Sequence, residues 1–157
     1  LKISEWADTY RRLSPENSAE AGQWNTTRAE YQREIMDTFN DPKIQRIVVM
    51  TSSQVGKTEL VLNAIAYYMD QDASPMLCVQ PTLAMAQSFS KDRLASMIRD
   101  TKKIKDLVAE AKSRDSGNTV LHKKFPGGHL SLVGSNSAAG LASWIRRISS
   151  GSSYCQN

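Results

Sequence analysis

Cysteine is scarce in this sequence: two occur among 157 residues, Cys78 inside an apolar run and Cys155 in a polar C-terminal stretch. Two thiols so placed build neither a disulfide framework nor a four-ligand zinc cluster, and they point to a reducing compartment. Long hydrophobic runs are missing as well. No stretch approaches the roughly 20 apolar residues of a membrane-spanning helix, and the N-terminus lacks a signal peptide's apolar core. Leu1 stands where an initiator methionine would, so residues upstream are expected to be missing. Neither sign of charge dominates: 20 Lys+Arg against 16 Asp+Glu leave +4, which permits contact with polyanions without requiring it. Acidic residues stop at Asp115. What is present, 40% hydrophobic and 23% charged residues, excludes a wholly disordered, collagen-like or coiled-coil chain and suits one globular domain.

The opening, residues 1–24, carries Trp6, Tyr10, Arg11 and Arg12 and then the polar run Ser14 to Ser18, which reads as a short helix followed by a loop. Tyr31, Ile35, Met36 and Phe39 recur at helical spacing until Asp41-Pro42 ends the pattern. Ile47-Val48-Val49 in the segment 44–50 predicts a buried strand that runs directly into Thr51-Ser52-Ser53-Gln54-Val55-Gly56-Lys57-Thr58. Leu60, Val61, Ala64, Ile65 and Tyr68 then mark one face of a helix closing near Asp70, and Pro75 to Gln80 supplies a second buried strand. This is one βαβ unit, and its two strands are expected to be parallel, joined by a right-handed crossover. A helix from Thr82, its N-cap, to about Arg99 follows, then a shorter one with Ile104, Leu107, Val108 and Ala111 on one face. Thr119 to Phe125 and His129 to Gly134 predict a hairpin around Pro126-Gly127-Gly128. The expected fold is therefore α/β: a three-layer sandwich of the phosphate-loop NTPase type with a mostly parallel, incomplete sheet and a short helical N-terminal segment.

Gly56-Lys57-Thr58 matches the second half of G-x-x-x-x-G-K-[ST], with Thr51 in place of the first glycine. Backbone N–H groups of Ser52, Ser53, Gln54 and Val55 can still curl around a phosphate, Gly56 allows close approach, and the following helix presents its positive end. Lys57 would reach the terminal phosphates, and the Thr58 hydroxyl would hold the Mg²⁺ that bridges them. The bland alternative is an ordinary strand-to-helix turn with a solvated lysine.

Trp24-Asn25-Thr26-Thr27-Arg28, Tyr31 to Asp37 and Val48 to Glu59, taken with Ser4 to Asp8 and Arg11 to Glu16, resemble the ATPase domain of the large terminase subunit of tailed bacteriophages, in its lambda-like gpA branch. The resemblance covers residues 4 to 148. It implies an ATP- and Mg²⁺-dependent motor that packages viral double-stranded DNA into procapsids, with a nuclease in a later domain. The implied partners are DNA, the small terminase subunit, the portal of the procapsid and further copies in a motor ring. The implied location is the host bacterial cytoplasm, away from any membrane. By position in that family, Tyr31 and Gln32, with Arg28, fall on the adenine-contacting segment: a tyrosine face stacks on the base and a glutamine amide reads its edge. The alternative for Tyr31 is the core stripe with Ile35 and Phe39. Gln80 and Thr82 follow the second strand, where the family touches DNA or relays nucleotide state; a helix cap is the simpler reading of Thr82.

The sequence departs from that pattern in two places. Gln54 stands where many terminases carry a basic residue. Further on, an apolar run ending in Asp-Glu is expected beyond Ile145, to hold the Mg²⁺ shell and polarise water. Trp144-Ile145-Arg146-Arg147-Ile148 gives way instead to Ser149-Ser150-Gly151. The domains expected are an N-terminal segment over 1–24, a partial ATPase domain over 25–148 and a disordered or non-native tail over 149–157. A reading-frame change, a truncated gene or a cloning boundary would each account for that tail. The 157-residue chain is accordingly expected to lack turnover. Two alternatives stand beside the motor: an inactive remnant that binds only nucleotide or a partner protein, and a helicase-like ATPase of another lineage. The interleaved Lys102, Lys103, Lys105, Lys112 and Arg114, with Lys123 and Lys124, read as a solvated mixed-charge face rather than a DNA contact, and His122 with His129 as a surface pair.

Overall fold

Ile3, Trp6 and Ala7 follow one another at helical spacing and are all buried, so the chain opens with a helix, α1 (Ile3–Tyr10), docked into the core. The structure, a computed structural model, describes residues 1–53, 55–114, 119–136 and 146–149. A short antiparallel pair, β1 (Arg12–Leu13) and β2 (Gly22–Gln23), closes the N-terminal segment. A 3₁₀ turn (Thr26–Ala29), opened by the Asn25 side chain accepting from the Thr27 amide at 3.0 Å, leads into α2 (Tyr31–Thr38). Then come α3 (Lys57–Gln71), β3 (Met76–Gln80) and a continuous helical stretch made of α4 (Leu83–Ser88), a π segment (Phe89–Leu94) and α5 (Ala95–Asp100). As its sequence predicts, Thr82 caps α4, its hydroxyl accepting from the Met85 amide at 3.2 Å. α6 (Lys102–Arg114), β4 (His122–Phe125), β5 (Gly128–Gly134) and β6 (Arg146–Ser149) complete the described elements.

Among the described residues four strands form one mixed sheet in the order β4-β5-β3-β6. β3 is its centre, parallel to β5 on one side (Met76 opposite Leu130) and to β6 on the other (Met76 opposite Arg146). The predicted hairpin is β4–β5, antiparallel, with Phe125 opposite Gly128 and Gly127 in the left-handed region at φ 87°. The mixed α/β class is as expected.

Two expectations do not hold. Residues 44–50 form no strand: Val48 is 75% and Met50 85% exposed. The physical reason lies in the sheet. A strand exists only where a neighbour takes its backbone hydrogen bonds; both edges of β3, the expected neighbour, are filled by β5 and β6, and 44–50 pairs with no other described strand. The parallel partners of β3 thus come from later in the sequence, and no crossover joins 44–50 to it. The second correction concerns α3, which is buried all round from Leu60 to Met69 instead of along one stripe, because α1, α2 and α6 surround it.

Asp70, near the end of α3, ties α1 and α6 to it. Its Oδ2 accepts from Trp6 Nε1 at 2.8 Å and pairs with Lys103 Nζ at 2.9 Å, while Lys103 also lies 4.1 Å from the Tyr10 ring centroid. Burial pushes the Asp70 carboxyl up, but hydrogen bonds from Lys103, Trp6 and Gln71 outweigh it and hold the group below its ordinary value. A folded-state pKa below the unfolded one contributes stability above the ordinary carboxylate range, and that stability is lost as pH falls through the folded value. Asp70→Ala is expected to cost about 1–3 kcal/mol at neutral pH, chiefly by leaving the indole donor unpaired. Melting temperature followed down the acid limb should fall less steeply in Asp70→Ala than in the parent.

Candidate nucleotide-binding site

The candidate phosphate-binding residues 51–58 sit at the start of the longest helix described. Thr51, Ser52 and Ser53 are exposed, while Val55, Gly56, Lys57 and Thr58 are half-buried. Gln54 lies outside the described residues. Gly56 is the N-cap of α3 with φ 81° and ψ 22°, and its carbonyl accepts the first helical bond from the Leu60 amide at 3.1 Å. Glycine is needed here on two counts. The left-handed backbone disfavours other residues, and a Cβ would lie 2.6 Å from Gln32 Nε2. Gly56→Ala is therefore expected to destabilise the chain by about 1–3 kcal/mol, read from its denaturant midpoint.

The Lys57 ammonium and the Thr58 hydroxyl make no hydrogen bond or ion pair with another described residue. An unengaged ammonium and hydroxyl beside the free N–H groups of a 15-residue helix form a donor set suited to a polyanion carrying a hard cation. Glu59, in the same turn, is held differently. Its Oε2 accepts from Arg11 Nη2 at 2.6 Å.

Tyr31 and Gln32 both close on the loop. Tyr31 Oη donates to the Val55 carbonyl at 2.8 Å, and Gln32 Nε2 donates to the same oxygen at 3.0 Å. Tyr31 is 58% exposed, so it is not a core member of the stripe with Ile35 and Phe39; its hydroxyl braces the loop. Gln32 is buried, and its Oε1 has no hydrogen-bond partner. Arg28 pairs with Glu20 at the surface and lines a shallow groove with Asp8, Gln23, Trp24 and Asn25. Sequence reasoning paired Tyr31 and Gln32 with a base; it missed that both first engage Val55, because a backbone carbonyl has no signature in the sequence.

At the carboxyl ends of β3 and β5 a second cluster forms. The Gln80 carbonyl accepts from the Ser135 amide at 2.8 Å, Ser135 Oγ donates to the Pro81 carbonyl at 2.9 Å, and a Cβ on Gly134 would meet the Leu83 amide at 2.7 Å. Gln80 itself is buried, its amide against Cys78 Sγ at 3.7 Å. The run Gly134-Ser135-Asn136 directly after a strand is the sequence signal for this close approach. The remaining candidates lie elsewhere. Lys103 is engaged with Asp70, Lys102 and Lys105 are on the outer face of α6, and the side chains of Lys112 and Arg114 are outside the described residues. The rings of His122 and His129 lie 5.1 Å apart, and His122 Nδ1 is 3.0 Å from Ser131 Oγ. Among the described residues no three His, Cys, Asp or Glu side chains converge on a metal position, and no helix is long and apolar enough to cross a membrane.

Comparison with known proteins gives the family. A family model described as the ATPase domain of the phage terminase large subunit gpA matches residues 18–149. The match begins after the segment 4–16 that also resembles that branch. The large terminase subunit of Enterobacteria phage P21 is 28% identical over 128 residues, which is 82% of this chain and 20% of that protein. That of Escherichia phage lambda is 29% identical over 124 residues, 79% of this chain and 19% of the relative. The chain thus spans about a fifth of the length of these relatives. No solved structure matches it.

Proposed function

Since the chain belongs to the family of gpA-type ATPase domains of phage terminase large subunits, we propose that residues 51–58 bind Mg²⁺-ATP for a motor that packages viral double-stranded DNA into procapsids. The observation that carries this is Lys57, unengaged by any described residue at the start of α3 and preceded by a left-handed glycine. Within a sandwich of the phosphate-loop type formed by residues 25–148, the backbone of Ser52 to Thr58 holds the phosphates, Lys57 faces the β and γ groups, and Thr58 supplies a hydroxyl to Mg²⁺. Tyr31 stacks its ring on adenine while its hydroxyl braces Val55, with Gln32 buried behind it and Arg28 at the rim. Gln80 and Thr82, at the strand end, relay nucleotide state. The small terminase subunit, the portal, DNA and neighbouring copies are the partners of the assembled motor, which works in the host cytoplasm; a nuclease belongs to a further part of the polypeptide.

Gln32 supports this reading on a separate ground. Its Oε1 is buried without a partner, and an exocyclic amine of a base is a donor of the kind that acceptor lacks. Ligand that binds only the folded chain raises its melting temperature by mass action. ATP with Mg²⁺ at about 100 times its dissociation constant is expected to add about 2.7 kcal/mol of stability, read as a rise in melting temperature. No shift at millimolar ATP would refute the proposal.

A further inference from the structure

Among the described residues Arg11 is the one charged residue that is buried as a whole, at 2% exposure. It belongs to the N-terminal segment, 48 positions before the residue it holds. Its backbone is fixed: the amide donates to the Ala7 carbonyl at 3.0 Å, and its carbonyl accepts from the Trp24 amide at 2.9 Å. From there the guanidinium reaches the base of α3, where Nη2 meets Glu59 Oε2 at 2.6 Å and Nη1 donates to the Arg12 carbonyl; Nε is buried without a partner. Asp100 adds a second attraction. Burying a guanidinium is costly, and one of its donors gains nothing in return.

The electrostatics of the helix start explain what is gained. Glu59 occupies the first turn of α3, two positions after Lys57. A carboxylate there favours the helix through its dipole, yet it opposes any anion held at the same end. A buried cation in contact with it keeps the first and cancels the second.

We propose that Arg11 is a positioning residue of the nucleotide site: by neutralising Glu59 it lets the N-terminal segment set the phosphate affinity of residues 51–58. This rests on the nucleotide reading above. The effect is one of charge, so it should grow with the charge of the ligand and shrink with ionic strength.

The test is titration of the 157-residue chain with Mg²⁺-ATP and Mg²⁺-ADP at low and high salt. Arg11→Met is expected to weaken ATP binding about ten-fold and ADP binding about three-fold, with both losses shrinking at high salt. Glu59→Gln is expected to tighten ATP binding about two- to three-fold even as it lowers the melting temperature, because Arg11 is left unpaired. The double variant Arg11→Met/Glu59→Gln should return to within about three-fold of the parent. A merely structural role predicts the opposite sign for Glu59→Gln, so weakening by that variant overturns the inference even where Arg11→Met fails to fold. Parental affinity in Arg11→Met, beside a Lys57→Ala variant that has lost binding, overturns the inference and leaves the nucleotide site standing. Equal affinity in the parent and Lys57→Ala overturns both.

Discussion

Replacing Lys57 with alanine is expected to weaken Mg²⁺-ATP binding at least about ten-fold while leaving the fold intact. The ammonium engages no described residue, so its removal leaves no described partner unsatisfied, and changes away from packing and paired groups stay within about 0.5 kcal/mol of stability. What is lost is a charge-assisted contact to phosphate of roughly 1.5–3 kcal/mol, and 1.4 kcal/mol is already a factor of ten. The measurement is calorimetric titration of parent and variant, with melting temperature as the control for folding. The same affinity in both would remove the phosphate-loop assignment. A matched loss of stability and binding would instead mean that Lys57 supports the fold.

A second large effect is expected in turnover: the 157-residue chain should bind ATP and hydrolyse it at or near background. Hydrolysis needs one carboxylate to hold the metal shell and another to orient water, and losing groups of this kind costs about 10²–10⁴ in rate each. β6 forms where such a carboxylate-bearing strand was expected, parallel to β3, but Arg146, Arg147, Ile148 and Ser149 carry no acidic group, and none follows in the sequence. Several upstream carboxylates are committed elsewhere, and Glu110 and Asp115 have side chains outside the described residues. Asp100 is paired with Arg99, Asp70 with Lys103 and Glu59 with Arg11. Asp106 is exposed on the outer face of α6. Phosphate release in the presence of Mg²⁺ and ATP, measured beside Lys57→Ala, decides the matter: robust release abolished by that substitution would show that one of these acids does the work.

The candidate site was legible in the sequence to the extent that it is local. Gly56-Lys57-Thr58 needs only a glycine, a lysine and a hydroxyl in consecutive positions before a helix, and Thr82 needs only its own hydroxyl three residues ahead of a free amide. Tyr31 shows where local reading stops. Its spacing to Ile35 and Phe39 fits a core stripe, and only the position of Val55 in space turns its hydroxyl toward the loop. Arg11 and Glu59 carried no pattern at all, because an ion pair between distant residues follows from how helices pack.

By itself the sequence determined the mixed α/β class, the helices from α2 to α6 within a few residues and the β4–β5 hairpin, because helical periodicity, caps and turns are written in neighbouring side chains. The tertiary structure alone decided the order of the sheet, the exclusion of 44–50 from it, and charge placement. Ile47-Val48-Val49 has the composition of a buried strand, yet β3 takes β5 and β6 as its neighbours and leaves that run outside the sheet. A strand is defined by the partner that accepts its backbone hydrogen bonds, and that partner is chosen across the chain, where no local pattern reaches.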